Sequence, residues 1–196
     1  HEAARHARPV MGGAFVRLLQ EPALWARWAG QGEQEYGPWA PFPKPRKWQP
    51  LVPTAEQEPL IWRYTTEQPA EGWWKPDFDD SAWAEGPAGF GVPGTPGAIV
   101  GTEWRTPDLW IRRVFDAARP RGDLALRIHH DEDAEVYLNG ALIAVLPSYT
   151  FYYENVALTE KTCKLLREGT NLLALHCRQT AGGQYIDAGF AEWLED

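Results

Sequence analysis

The stretch Leu124 to Leu146, LALRIHHDEDAEVYLNGALIAVL, constrains this fold more than any other part of the chain. Two apolar runs meet at Asn139-Gly140, and both residues tolerate the positive φ that a two-residue type I′ turn needs. The stretch therefore reads as a strand, an acidic corner and a tight hairpin. A two-residue loop sets Leu138 opposite Ala141, Val136 opposite Ile143 and Ala134 opposite Val145, all apolar. The other face carries Tyr137 with Leu142 and Glu135 with Ala144, a more polar set. One core face and one partly wet face are expected, as in a sandwich sheet.

The rest of the chain punctuates itself in the same style. His1 to Pro9 reads as a charged end. Met11, Phe15, Leu18 and Leu19 fall at helical spacing, and Pro22 opens a second short helix with Leu24, Trp25 and Trp28, ended by Gly30. Such helices are too short to stand alone in water and must dock on something. Prolines at 38, 41, 43, 45, 50, 53 and 59 then mark an extended, semi-rigid strap, poor in regular structure. Strands are expected at Leu60–Tyr64, Leu109–Phe115, Leu172–Arg178 and Tyr185–Trp193, with a short helical turn near Lys161–Leu166. Short strands separated by turn signals argue an antiparallel sandwich. The organisation expected is thus 1–59 as a helical segment plus Pro-rich strap, and 60–196 as an all-β sandwich.

A formal net charge of −8 disfavours nucleic acid and anionic membrane as partners, since both call for a basic face. No apolar run approaches the roughly 20 residues of a membrane span, and no basic-then-apolar leader opens the sequence. The two cysteines make no disulfide scaffold. Cys177 reads as a buried small hydrophobe, and a Cys163–Cys177 bridge stays open because sequence does not give their separation. The outlier is aromatic content: eleven tryptophans, against serine only at 81 and 148. Most of these indoles belong to packing; some suit sugar stacking, because pyranose C–H faces lie flat on rings.

WWKPDFDDSAW (Trp73 to Trp83), DLWIRRVF (Asp108 to Phe115), AEVYLNG (Ala134 to Gly140) and LREGTNLLAL (Leu166 to Leu175) occur in this order. The series resembles the galactose-binding-like jelly-roll domains, such as the sugar-binding and accessory domains of family 2 glycoside hydrolases, over roughly Leu60 to Trp193. Met11 to Ala29, the strap and HHDEDAEVYLNG are in addition similar to the C-terminal region of large bacterial glutaminase-like proteins, where a sandwich follows an α-helical catalytic domain. The first resemblance implies the jelly-roll fold; the second implies that Val10 to Gly30 is the tail of a preceding catalytic domain. Neither fixes a function, because this superfold carries binding modules and inert spacers alike.

Catalytic constellations are weak. Asp77, Asp79 and Asp80 look like a glycosidase carboxylate set but sit in a turn where Asx side chains cap backbone N–H groups. His176 and Cys177 are adjacent on a strand and face opposite ways, against a thiol–imidazole pair. No G-x-S-x-G or P-loop is present, and the glycines of GFGVPGTPG have no following helix, against a dinucleotide fingerprint. His129 and His130 likewise point apart. His129, Asp131 and Asp133 would share a face of an unbroken strand, where hard oxygen ligands suit Ca²⁺, the one cofactor this reading leaves open beside none. No catalytic and no metal residue is assigned, and the fragment is expected to lack hydrolytic activity.

Binding candidates are better. Trp104 and Arg105 end a long Gly/Pro loop, Tyr149, Phe151, Tyr152 and Tyr153 crowd a second, and Gln184 and Tyr185 follow a Gly-Gly turn. Galactose-binding-like domains use loops at one end of the sandwich, so the resemblance gathers Trp104, Arg105, Tyr149, Tyr152, Tyr153, Gln184 and Tyr185 into one site, with His129 and Asp131 at its floor. The expected role is a non-catalytic carbohydrate-binding or accessory module of a larger secreted or periplasmic hydrolase. Its partners would be a carbohydrate and the preceding catalytic domain of the same polypeptide. The alternative is a structural C-terminal domain of a multidomain hydrolase, glutaminase-like or glycoside hydrolase, with no ligand of its own.

Overall fold

A computed structural model describes residues 47–118, 120 and 122–194. The helices expected within Val10–Gly30 lie outside the described residues. The described part is an all-β sandwich of two sheets. Its strands are β1 (Trp48–Val52), β2 (Ile61–Thr65), β3 (Ala84–Pro87), β4 (Phe90–Gly91), β5 (Thr102–Glu103), β6 (Asp108–Ala117), β7 (Leu124–Asp131), β8 (Asp133–Leu138), β9 (Ala141–Leu146), β10 (Glu154–Ala157), β11 (Gly169–Arg178) and β12 (Tyr185–Trp193). One helical turn, α1 (Glu160–Cys163), is capped by the Thr159 side chain accepting from the Thr162 N–H.

The first sheet runs β10-β7-β12-β4-β5, with β1 also on β12; the second runs β3-β2-β6-β11-β8-β9. Pairing is antiparallel throughout except between β4 and β5. The core lies between the sheets. Leu126 and Ile128 of β7 and Ile186, Ala188 and Phe190 of β12 face Leu109, Ile111 and Phe115 of β6 and Leu173, Leu175 and Cys177 of β11. Strand alternation then assigns the opposite faces: His129 and Asp187 point out of the first sheet, Trp110, Tyr137 and His176 out of the second.

The strap expectation changes on its last part. Trp48–Val52 pairs with β12 as a strand, Trp48 opposite Trp193 and Val52 opposite Phe190, with a bulge between Pro50 and Val52. An edge position and a bulge are where a sheet accepts proline.

Asn139 and Gly140 adopt φ of 51° and 87°, as the type I′ turn requires. The register holds for only two pairs. Leu138 faces Ala141 and Tyr137 faces Leu142, after which Val136 faces Ala144, Glu135 faces Val145 and Ala134 faces Leu146. Ile143 is the extra residue of a bulge, a device common on edge strands such as β9. The expected Val136–Ile143 and Ala134–Val145 pairs are therefore replaced, and Val145 turns to solvent at 60% exposure.

A second expectation fails at the acidic corner. The chain leaves the first sheet at Asp131 and enters the second at Asp133, so alternation does not carry across Glu132. Asp133 accepts from the Ser148 N–H instead. Among the described residues no three His, Cys, Asp or Glu side chains converge to hold a metal ion, which removes the His129–Asp131–Asp133 set as a Ca²⁺ site. Both cysteines are free thiols, Cys177 in the core, where burial pushes its thiol pKa up.

Candidate functional site

The loop residues singled out in the sequence divide by access. Trp104 is 2% exposed, part of the core, its indole N–H donating to Thr106 Oγ1 at 2.9 Å. It offers no ring face to a ligand. Gln184 is buried too, its amide donating to the Thr106 carbonyl at 2.8 Å. Arg105 is exposed and pairs with the equally exposed Glu103. Tyr149, Phe151 and Tyr152 are open to solvent at 51%, 58% and 68%, with Tyr149 and Phe151 edge to face at 5.1 Å.

Beneath them the remaining members form a closed set on the outer face of the first sheet. The Tyr153 hydroxyl donates to Asp187 Oδ2 at 2.6 Å and lies 2.6 Å from the Tyr185 hydroxyl, which reaches the Ile99 carbonyl at 3.1 Å. His129 packs against both tyrosines, centroids 5.4 and 4.6 Å away, and donates from Nε2 to the Thr150 carbonyl. Two segments roof this set. Ala55 donates its N–H to Asp187 Oδ2 at 2.7 Å. Gly97, at φ 70°, lies so close that a Cβ there would stand 2.1 Å from the Phe151 carbonyl oxygen, so only glycine fits. Burial raises the Asp187 pKa to about 6 against its hydrogen bonds, and lowers that of His129. Asp131 is buried as well, its pKa raised mainly by desolvation, and its backbone bridges to Tyr149. These residues hold the loop from below, and the Tyr153 and Tyr185 hydroxyls, the Asp187 carboxylate and His129 Nε2 are engaged within the protein in the contacts just given.

The outer face of the second sheet was not anticipated. Arg112, almost wholly buried, places Nε 2.8 Å from Asp80 Oδ2 and also donates to the Trp73 carbonyl. Its guanidinium lies 5.2 Å from the Phe78 ring centroid. That contact set fastens the turn 73–83 onto the sheet. Asp79 caps the Ser81 N–H at 3.0 Å and Asp80 also pairs with Arg63 at 3.1 Å, which gives these carboxylates the structural part expected of them. The fastened turn lays Trp73 and Trp74 against Tyr137. Beside them His176 stacks on Trp110, centroids 4.7 Å apart and 7° from parallel, with Nε2 2.8 Å from Asp108 Oδ1. Hollows of about 310 and 260 Å³ open on either side of His176. Trp110, Tyr137 and His176 sit at alternating positions opposite core residues. That periodicity is the signal in the sequence by which this face could have been found.

No protein-family model matches the chain, and no curated protein does. Among solved structures the chain is similar to a glycosyl hydrolase family 2 member from Bacteroides cellulosilyticus, at 17% identity and a TM-score of 0.47 over 66% of this chain and 20% of that one. It is similar to a Bacteroides uniformis β-glucuronidase at 18% identity and a TM-score of 0.48, over 76% and 18%. A Ruminococcus gnavus β-glucuronidase gives 13% identity and a TM-score of 0.48, over 80% and 30%. The chain spans about a fifth to a third of the length of these enzymes. Among the described residues no helix is long and apolar enough to cross a membrane.

Proposed function

We propose that this chain is a non-catalytic carbohydrate-binding module of a larger secreted or periplasmic hydrolase, with its ligand platform on the Tyr149–Tyr152 loop. One observation carries the reading: three exposed aromatic rings stand on one loop above a closed, hydrogen-bonded base. Exposed rings in a fixed arrangement suit the apolar face of a pyranose, and a rigid base leaves little loop entropy to lose on binding. Arg105 is the exposed cation of the expected set. A shallow platform of this kind implies affinity near the millimolar range, about −4 kcal/mol. Calorimetric titration with galactose-, glucuronate-, arabinose- and rhamnose-containing oligosaccharides tests it. Binding should weaken about tenfold in Tyr152→Ala with the melting temperature unchanged, because that side chain packs against little.

A second reading, a structural domain without a ligand, draws on a different observation. Val114, Leu142 and Val145 are apolar and more than half exposed, as side chains meeting another domain would be. Absence of binding across the whole panel would favour it.

A further inference from the structure

We propose that the outer face of the second sheet is a second glycan site, a groove that takes neutral pyranose chains and turns uronates away. His176 lines both hollows, with Trp73, Trp74 and Trp110 on one side of it and Asp133, Glu135 and Arg178 on the other. The hollow on the Trp74 side, about 310 Å³, reaches the lower end of the range of small-molecule sites, about 300–1,000 Å³.

The groove is built in advance. His176 lies flat on Trp110 and is held in plane by Asp108. Trp74, partly exposed, is stacked on Tyr137, centroids 5.4 Å apart and 21° from parallel. The Tyr137 hydroxyl donates to Glu135 Oε2 at 2.9 Å, which orients that carboxylate, while burial and this acidic neighbour raise the tyrosine pKa to about 12. Rings so fixed lose little freedom when a ligand settles on them. Trp73 covers Ala174 and Trp74 packs beside it, yet Trp74 keeps part of its ring exposed at the mouth of one hollow, and His176 lies at both.

Charge selects the ligand. Glu71, Asp133 and Glu135 line the hollows and Asp108 holds His176 beside them, while Arg178 is the one Lys or Arg among the described residues that line them. Carboxylates accept hydrogen bonds from sugar hydroxyls, and like charges disfavour a ligand carboxylate in the same space. The groove shares no residue with the Tyr149–Tyr152 platform, so either site can fail without the other.

The test uses the 196-residue chain carrying Tyr152→Ala, which weakens the loop platform about tenfold, so that the added substitutions on the second sheet report the groove. Neutral cello-, xylo-, galacto- and manno-oligosaccharides and an oligogalacturonate are titrated while calorimetry and tryptophan fluorescence are followed. At least one neutral series should bind and change the tryptophan signal, and the galacturonate should bind at least tenfold more weakly. Adding Trp74→Ala should lower the neutral affinity at least tenfold. Because Trp74 also packs on Tyr137, Glu71→Gln serves as the second variant: its side chain is exposed, so affinity should fall severalfold at unchanged melting temperature. The proposal is overturned if Tyr152→Ala protein binds no neutral series, if the uronate binds as well as the neutral sugars, or if neither added substitution changes affinity. Binding by the unsubstituted chain that Tyr152→Ala alone abolishes would also overturn it, while supporting the loop platform.

Discussion

On the outer face of the first sheet, Tyr153, Tyr185, His129 and Asp187 sit shut beneath two crossing segments; on the outer face of the second, Trp74, Trp110 and His176 line an open hollow. The ingredients match: aromatic rings, an imidazole and carboxylates, at outward strand positions apart from Tyr153 and Trp74, which loops supply. What differs is the cover. Gly97 and Ala55 bring backbone directly onto the first face, and the Tyr153, Tyr185 and Asp187 side chains there are hydrogen-bonded within the protein. Among the described residues the turn 73–83, held down through Arg112, covers the second face, and Trp74, Tyr137 and His176 stay partly exposed. Composition thus marks where a site could be, and the path of the covering loops decides whether it is one.

The comparison is broken most severely by freeing that turn. Asp80→Ala leaves the Arg112 guanidinium buried without its carboxylate, and burial already pulls the Arg112 pKa down. Removing one partner of a buried pair typically costs about 3–5 kcal/mol. Urea unfolding should register a loss of that size, and Arg63, which also pairs with Asp80 at the surface, adds little to it.

The closed face answers to pH. Asp187 has its pKa raised from 3.8 to about 6 by burial, outweighing the donors Tyr153 and Ala55. A carboxyl group with a raised folded pKa contributes stability that is fully present below about pH 4 and is lost as pH rises through about 6. The loss amounts to roughly 3 kcal/mol at about 1.4 kcal/mol per pKa unit. Asp187→Asn keeps an acceptor oxygen and cannot ionise. The stability of the native protein relative to this variant should therefore fall between pH 4 and pH 7. A parallel pair of curves would show that Asp187 does not titrate in that window.

A smaller effect is expected at the hairpin, which lies next to the turn: a Cβ on Gly140 would stand 3.4 Å from Pro76. With φ at 87°, Gly140→Val forces a β-branched residue into the left-handed region, a strain of about 1–3 kcal/mol. The melting temperature should drop accordingly.

Much of this architecture was legible in the residues. Asn139-Gly140 announced its turn, and the strands at Ile61–Thr65, Asp108–Ala117, Gly169–Arg178 and Tyr185–Trp193 fall where short apolar runs between turn residues put them. The hairpin register was not legible beyond Leu142, because a bulge leaves no mark in an all-apolar run such as ALIAVL. Nor was the sheet change at Glu132, which undid the His129–Asp131–Asp133 face. Trp104 shows the limit for sites: a tryptophan next to an arginine in a loop reads as a platform, yet its ring fills the core. Burial of Tyr153, Gln184 and Tyr185 likewise depends on what crosses above them. Arg112 and Asp187 gave no signal, since a lone charge in a strand shows its partner only after folding.

Hydroxyl-radical footprinting of the aromatic side chains, with and without saturating oligosaccharide, bears most directly on the contrast between the two faces. Free protein should label Tyr149, Phe151, Tyr152 and Trp74 and spare Trp104, Tyr153 and Tyr185. Saturation with a binding sugar should protect members of the first group and leave the second unchanged. Labelling of Tyr153 and Tyr185 in the free protein, or sugar that binds without protecting any of the exposed rings, would contradict the account.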